Sequence, residues 1–154
     1  MDALLAEAAK KCEEYRLMRY HCSESSIRAL SEVFDIDLSE ELLRVSSGFR
    51  GGGGGYRERC GIVETGIMLI SLRYGRISPG DSADEYSYLI RVLHERFLAE
   101  LGSYTCRVLR PFSQRIAPDN SGSFVYREGV KIVARLLLEA DGLISDIPEE
   151  ERNK

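Results

Sequence analysis

The sequence predicts an all-α fold, a compact single-domain bundle of about five or six helices with a glycine-rich loop before the central helix. Three observations carry that expectation. Apolar residues recur at three- and four-residue spacing through most of the chain, and capping residues and glycines punctuate those stretches. The third is bulk composition: 154 residues, 44% hydrophobic and 30% charged, suit one soluble domain with a real core rather than a disordered chain.

The elements follow in order. Asp2 to about Arg19 places Leu5, Ala8, Cys12 and Tyr15 on one stripe, with Glu7, Lys10, Glu13 and Glu14 mostly elsewhere. Ser23 is the expected N-cap of a second helix that presents Ile27, Leu30, Val33 and Phe34. "DIDLSEELLRVSSGF" reads as a turn, a Ser39 cap with Glu40 and Glu41 in the first helical turn, and a stop at Gly48. After "RGGGGGYRERCG", the segment Cys60 to Tyr74 is largely apolar and ends at Gly75. On a helix, Cys60, Val63, Ile67, Ile70 and Tyr74 share a face, widened by Ile62, Leu69 and Leu72, which makes this the central helix. Its β-branched residues would suit a strand, but its length and terminal glycine favour a helix.

"RISPGDSADE" is a turn leading to a Ser82 cap, followed by a helix from about Ala83 to Leu101 with Leu89, Val92, Leu93 and Phe97 inward, stopped by Gly102. "SYTCRVLRPF" reads as irregular or a single turn broken by Pro111, and "SQRIAPDNSGS" as a loop. A last helix near Phe124 to Ala140 is expected to bury Tyr126, Val130, Val133, Ala134, Leu137 and Leu138, with Gly142 closing it. The expected domain spans residues 1–145, and residues 146–154 form a solvated tail. No internal repeat appears.

A net charge of −4 and a pI near 5.3 argue against a nucleic-acid partner. The opening "MDALLAEAAKKCEEY" lacks the basic and apolar regions of a signal peptide, and no apolar run nears the roughly 20 residues of a membrane span. The expectation is a cytoplasmic protein without membrane contact. There, cysteines are more often metal-binding, catalytic or buried than disulfide-bonded. Cys12, Cys22, Cys60 and Cys106 contain no C-x-x-C, so any shared site must be assembled by folding.

Cys60 carries the strongest chemical signal. At the start of a helix, with Arg57 and Arg59 nearby, a thiol has its thiolate stabilised, and Gly61 lets another group approach the sulfur. The bland alternative, a small buried hydrophobe on the core face, stands beside it. Cys22 adjoins His21 before a helix, and Cys106 adjoins Arg107 in an apparent loop. Cys12 sits on a core stripe and reads as packing. His94 reads as structural. Glu64, one turn after Cys60 in an apolar helix, is a candidate proton acceptor or ligand, or simply an arginine partner. No Ser/His/Asp arrangement, Rossmann fingerprint or P-loop occurs.

"HCSESSIRAL", "SGFRGGGGG", "CGIVETGIMLISLRYG" and "LGSYTCRVL" together resemble, in order and spacing, the C_GCAxxG_C_C family of proteins described as redox-active. The resemblance covers about residues 15 to 140. It implies a shared site for Cys22, Cys60 and Cys106, with Gly51, Gly52, Gly53, Gly54 and Gly55 as its wall. The family's fourth cysteine, at the start of the last helix, falls here at Tyr126. The family's Cys-Gly-Ala continuation reads Cys60-Gly61-Ile62, with Thr65 at a glycine position and Gly66 beyond it.

The resemblance implies a redox-active cysteine protein. Cys60 would act as the low-pKa thiolate, with Cys22 or Cys106 as its resolving partner, or the thiols would capture a metal ion or Fe–S cluster. Cys12, His21, Glu64 or an external ligand would have to complete a four-ligand site. A thiol-based oxidoreductase fits this reading, although no specific reaction follows from it, and the electron-transfer or protein partner is unspecified. The competing expectation is a non-enzymatic helical module, a homodimer in one version, whose cysteine site has degenerated. A third is anion or phosphate binding by the Gly51–Gly55 amides with Arg50, Arg57 and Arg59.

Overall fold

The computed structural model describes all 154 residues and contains seven α-helices and no strands. They are α1 (Asp2–Leu17), α2 (Cys22–Val33), α3 (Glu40–Ser47), α4 (Gly61–Tyr74), α5 (Asp84–Leu101), α6 (Cys106–Ile116) and α7 (Ser123–Ser145). The all-α expectation holds, with more helices than the sequence suggested. No helix is long and apolar enough to cross a membrane.

The additional helix is α6. Pro111 lies inside it rather than ending it. A proline within a helix removes one backbone hydrogen bond and costs about 3 kcal/mol. Packing overrides that cost here: Cys106, Leu109 and Ser113 form a buried stripe, and α6 packs against α7. The first turn is also anchored from outside, because Cys106 N–H donates to Glu58 O and Arg107 N–H to Arg57 O.

Helix boundaries differ where a neighbouring group caps better than the expected residue. α2 starts at Cys22, one residue before Ser23, because His21 is the N-cap and Glu24 Oε1 accepts from His21 N–H at 3.1 Å. Ser39 caps α3 as expected, accepting from Leu42 N–H at 3.2 Å. Ser82 accepts from Asp84 N–H, but Ala83 is the N-cap of α5. α7 runs through Gly142 to Ser145, since nothing else interrupts its apolar face.

α4 is apolar on nearly every side and sits centrally, packed on α2, α5 and α7. α1 lies across α2 and α7 and contributes Leu5, Ala8, Ala9 and Cys12 to the core. Leu72 and Leu138, expected inside, face solvent at 53% and 40% exposure. Small polar residues bring α2 and α4 close. Buried Ser26 donates to Thr65 Oγ1 at 2.8 Å, and Thr65 donates to Ser23 O at 3.1 Å. Gly66 abuts Leu93, leaving no room for a Cβ.

Residues 146–154 return to α5. Ile147 is buried, Arg91 bonds Glu151 at 2.7 Å, and Asn153 N–H donates to Asp84 at 2.8 Å. A short 3-10 turn, Glu149–Glu151, carries these contacts, so the segment expected to be a solvated tail is tied to the bundle.

Candidate functional site

Four helices begin at one place. Cys22 is the first residue of α2, Cys60 the N-cap of α4, Cys106 the first residue of α6, and Gly122 the N-cap of α7. All four line a cavity of about 220 Å³, with His21, Gly61 and Tyr126 also in its wall. Four helix N-termini aim the positive ends of their dipoles at this space.

Local backbone geometry brings the three cysteines to the wall of one cavity. Arg59 and Thr105 form an isolated antiparallel bridge. It is bracketed by Cys60 N–H to Tyr104 O at 2.9 Å and Cys106 N–H to Glu58 O at 2.6 Å. In that pairing Cys60 lies opposite Tyr104 and Cys106 two residues further on, so the two cysteines are diagonal neighbours, a relation that spans about 7–8 Å. Cys22 reaches the group across Gly61: a Cβ built on Gly61 would stand 2.5 Å from Cys22 Sγ and 3.0 Å from Phe49 O. Glycine at position 61 is what lets the Cys22 sulfur sit there.

The glycine run is a compact left-handed turn. Gly51 to Gly55 all have positive φ, between 56° and 87°, a conformation that favours glycine. Gly48 O accepts from Gly54 N–H, Gly51 O from Arg57 N–H and Gly52 O from Glu58 N–H, each within 3.0 Å. Gly51 lines the cysteine cavity. Gly52 and Gly53 line a separate shallow cleft with Glu64, and Gly54 and Gly55 line neither. The amides of Gly53, Gly54 and Gly55 all bond within the chain, so they do not form the open amide nest expected of an anion-binding loop.

The charges fall differently from expectation. Arg57 Nη1 donates to Cys106 Sγ at 3.8 Å, not to Cys60. Arg59 pairs with Glu64 at 3.6 Å, away from the cavity. Glu64 is half-buried, and burial raises its carboxyl pKa while Arg59 and His94 oppose the rise. It is no part of the thiol cluster. His94 Nδ1 contacts Ile90 O at 2.8 Å, in keeping with a structural role.

Cys60 is not a low-pKa thiolate. Burial, with Cys22 next, pushes its thiol up to about 12, against the downward pull of the Ile62 and Val63 amides. Burial also raises Cys22, opposed first by the Gly51 N–H. Cys12 is fully buried, lies outside the cavity wall, and has its thiol raised by burial. Tyr126 lines the cavity wall, its hydroxyl pKa raised chiefly by burial.

These shifts fix a pH dependence. A thiol whose folded pKa exceeds its unfolded value of 9.0 stabilises the fold fully below about pH 9. That contribution is lost as pH climbs toward 12, because the unfolded chain releases protons that the folded chain keeps. Thermal melts from pH 7 to 11 should show stability falling above pH 9, and falling less steeply in Cys60→Ser. Parallel declines in the two proteins would contradict the burial account.

The residues do not fit a preformed metal centre: no three His, Cys, Asp or Glu side chains stand together as a metal-holding group.

A family model described as Putative redox-active protein (C_GCAxxG_C_C) matches residues 20–134. The chain belongs to the C_GCAxxG_C_C family. The span matched by the C_GCAxxG_C_C model includes Cys22, Cys60, Cys106 and Tyr126 and leaves out Cys12. No curated protein and no solved structure matches the chain.

Sequence reasoning missed Arg110, Ser113 and Gln114 in the cavity wall. They lie four, seven and eight residues after Cys106, a helical spacing that becomes visible only once Pro111 is allowed inside a helix.

Proposed function

We propose that this protein carries out thiol–disulfide exchange in the cavity, with Cys106 as the attacking sulfur and Cys60 as the resolving sulfur. The observation that carries the reading is the antiparallel bridge at Arg59 and Thr105, which makes Cys60 and Cys106 diagonal neighbours within one cavity wall. Membership of a family described as redox-active agrees with it.

Cys106 is the better attacking group because the Arg57 guanidinium donates to its sulfur and can follow the negative charge that develops there. Cys60 is too deeply buried to ionise readily without a reacting partner. In the forward direction the Cys106 thiolate attacks one sulfur of a substrate disulfide. The substrate S–S bond breaks, and the leaving thiolate takes up a proton. Cys60 then gives its proton to solvent and attacks the Cys106 sulfur of the mixed disulfide, expelling the second substrate thiolate. Two electrons pass from the protein dithiol to the substrate disulfide, leaving a Cys60–Cys106 disulfide. Their diagonal spacing lies near the roughly 7 Å Cα limit for such a bond, so closure needs only a small shift of the first turn of α6. Cys22, held by backbone amides behind Gly61, shapes the site without taking electrons.

Thiol titration before and after treatment with oxidised glutathione tests the reading. The reduced protein should present four thiols on denaturation and lose two on oxidation. Cys106→Ser should abolish that loss, Cys60→Ser should lose one thiol as a trapped mixed disulfide with glutathione, and Cys12→Ser should retain the loss of two. A protein that keeps every thiol, or whose loss requires Cys12, contradicts the proposal.

A further inference from the structure

The cavity is charged against the grain of the chain. The protein carries a net −4, yet Arg50, Arg57 and Arg110 line the cavity and no carboxylate does. None of these three arginines forms an ion pair, so no carboxylate of the chain neutralises them. Arg50 Nε is buried with no acceptor at all. A buried guanidinium donor without a partner costs free energy, and three unpaired cations around one recess repel one another. Four helix N-termini add potential of the same sign. Such a recess is completed by a negative group.

We propose that Arg50, Arg57 and Arg110 form an anion subsite, and that the molecule exchanging with Cys106 is a small anionic thiol or disulfide. This rests on the exchange reading above and adds the substrate class. Of the glycine amides, those of Gly53, Gly54 and Gly55 are bonded within the turn and that of Gly51 is directed to the Cys22 sulfur. The guanidiniums supply the subsite: Arg110 stands one helical turn beyond Cys106 on α6, and Arg57 already touches the sulfur. An anionic group held between Arg50 and Arg110 leaves the adjoining sulfur of the same molecule facing Cys106. The cavity, about 220 Å³, admits only a small molecule or the tip of a larger one.

The test compares two thiol reagents of opposite charge, sulfonatoethyl and trimethylammonioethyl methanethiosulfonate. In each reaction the Cys106 thiolate attacks the sulfenyl sulfur, a protein–reagent disulfide forms, and methanesulfinate leaves with the bonding electrons. The thiol proton passes to buffer. Rates are measured on Cys12→Ser protein and divided by each reagent's rate with N-acetylcysteine. The sulfonate reagent should be favoured by about tenfold, with the preference shrinking as salt rises. Arg50→Gln and Arg110→Gln should each reduce it, and Arg110, being exposed and unbonded, can be replaced without risk to folding. Equal normalised rates would overturn the subsite. Inorganic sulfate separates this proposal from the exchange reading. If neither reagent reacts but sulfate raises the melting temperature of the parent and not of Arg110→Gln, the anion site stands and the exchange reading falls. If sulfate has no differential effect and the reagents do not discriminate, the anion site falls whatever the thiols do.

Discussion

Gly61→Ala is expected to destabilise the protein by about 1–3 kcal/mol, the usual cost of forcing extra volume into a packed interior, and to disturb the thiol cluster. The added methyl would lie 2.5 Å from Cys22 Sγ, 3.0 Å from Phe49 O and 3.3 Å from Ser23 Cβ. The backbone at Gly61 is ordinary helix, so the penalty comes from contact and not from strain. That gives the prediction a second arm. Removing the obstructing sulfur in Cys22→Ala/Gly61→Ala should recover part of the loss, leaving the contact with Phe49 O. Denaturant unfolding of the four proteins in this cycle measures the coupling directly. Additive effects would mean that Cys22 Sγ does not occupy the space against Gly61.

Gly52→Ala is expected to cost more and to have no side-chain rescue. Its φ of 75° is unfavourable for any residue with a Cβ, a penalty of about 1–2 kcal/mol. The new methyl would also meet Glu58 N at 2.5 Å and Arg57 Cα and C at 2.7 Å, all backbone atoms of the segment leading into Cys60. Gly53→Ala is the control, since a Cβ there meets nothing within 4 Å and only the φ of 87° opposes it. Unfolding midpoints should rank parent above Gly53→Ala above Gly52→Ala. The largest loss of Cys106 reactivity should accompany Gly52→Ala, because Arg57 and Glu58 carry the contacts that hold the start of α6. Equal midpoints for the two variants would mean that the turn does not close on residues 57 and 58.

Much of this arrangement is legible in the amino-acid order. Helical spacing identifies α1, α2, α4 and α5 and most of α7, and Ser39 marks the start of α3. α6 is not legible, because Pro111 is a strong local breaker and only the packing of Leu109 and Ser113 against α7 outweighs it. That one misreading hides Arg110. Three of the cavity's cysteines stand out as family landmarks, but their mutual placement depends on the bridge between Arg59 and Thr105. Two residues cannot announce a bridge by pattern. The cation beside the thiols is misassigned for a conformational reason. Arg57 has a φ of 69°, which turns its side chain back toward Cys106 where an extended backbone would have aimed it elsewhere. Burial of Cys60 likewise depends on what closes over it, and it reverses the pKa direction that its position at a helix start suggests.

Four helices that begin at one cavity, three of them with a cysteine at the first turn, form the centre of this account. Peptide mapping of the mildly oxidised, alkylated protein tests it most directly. The account predicts one intramolecular linkage joining the Cys60 and Cys106 peptides, with Cys12 alkylated as a free thiol. A linkage through Cys12, a disulfide between two chains, or four free thiols after oxidation would contradict it.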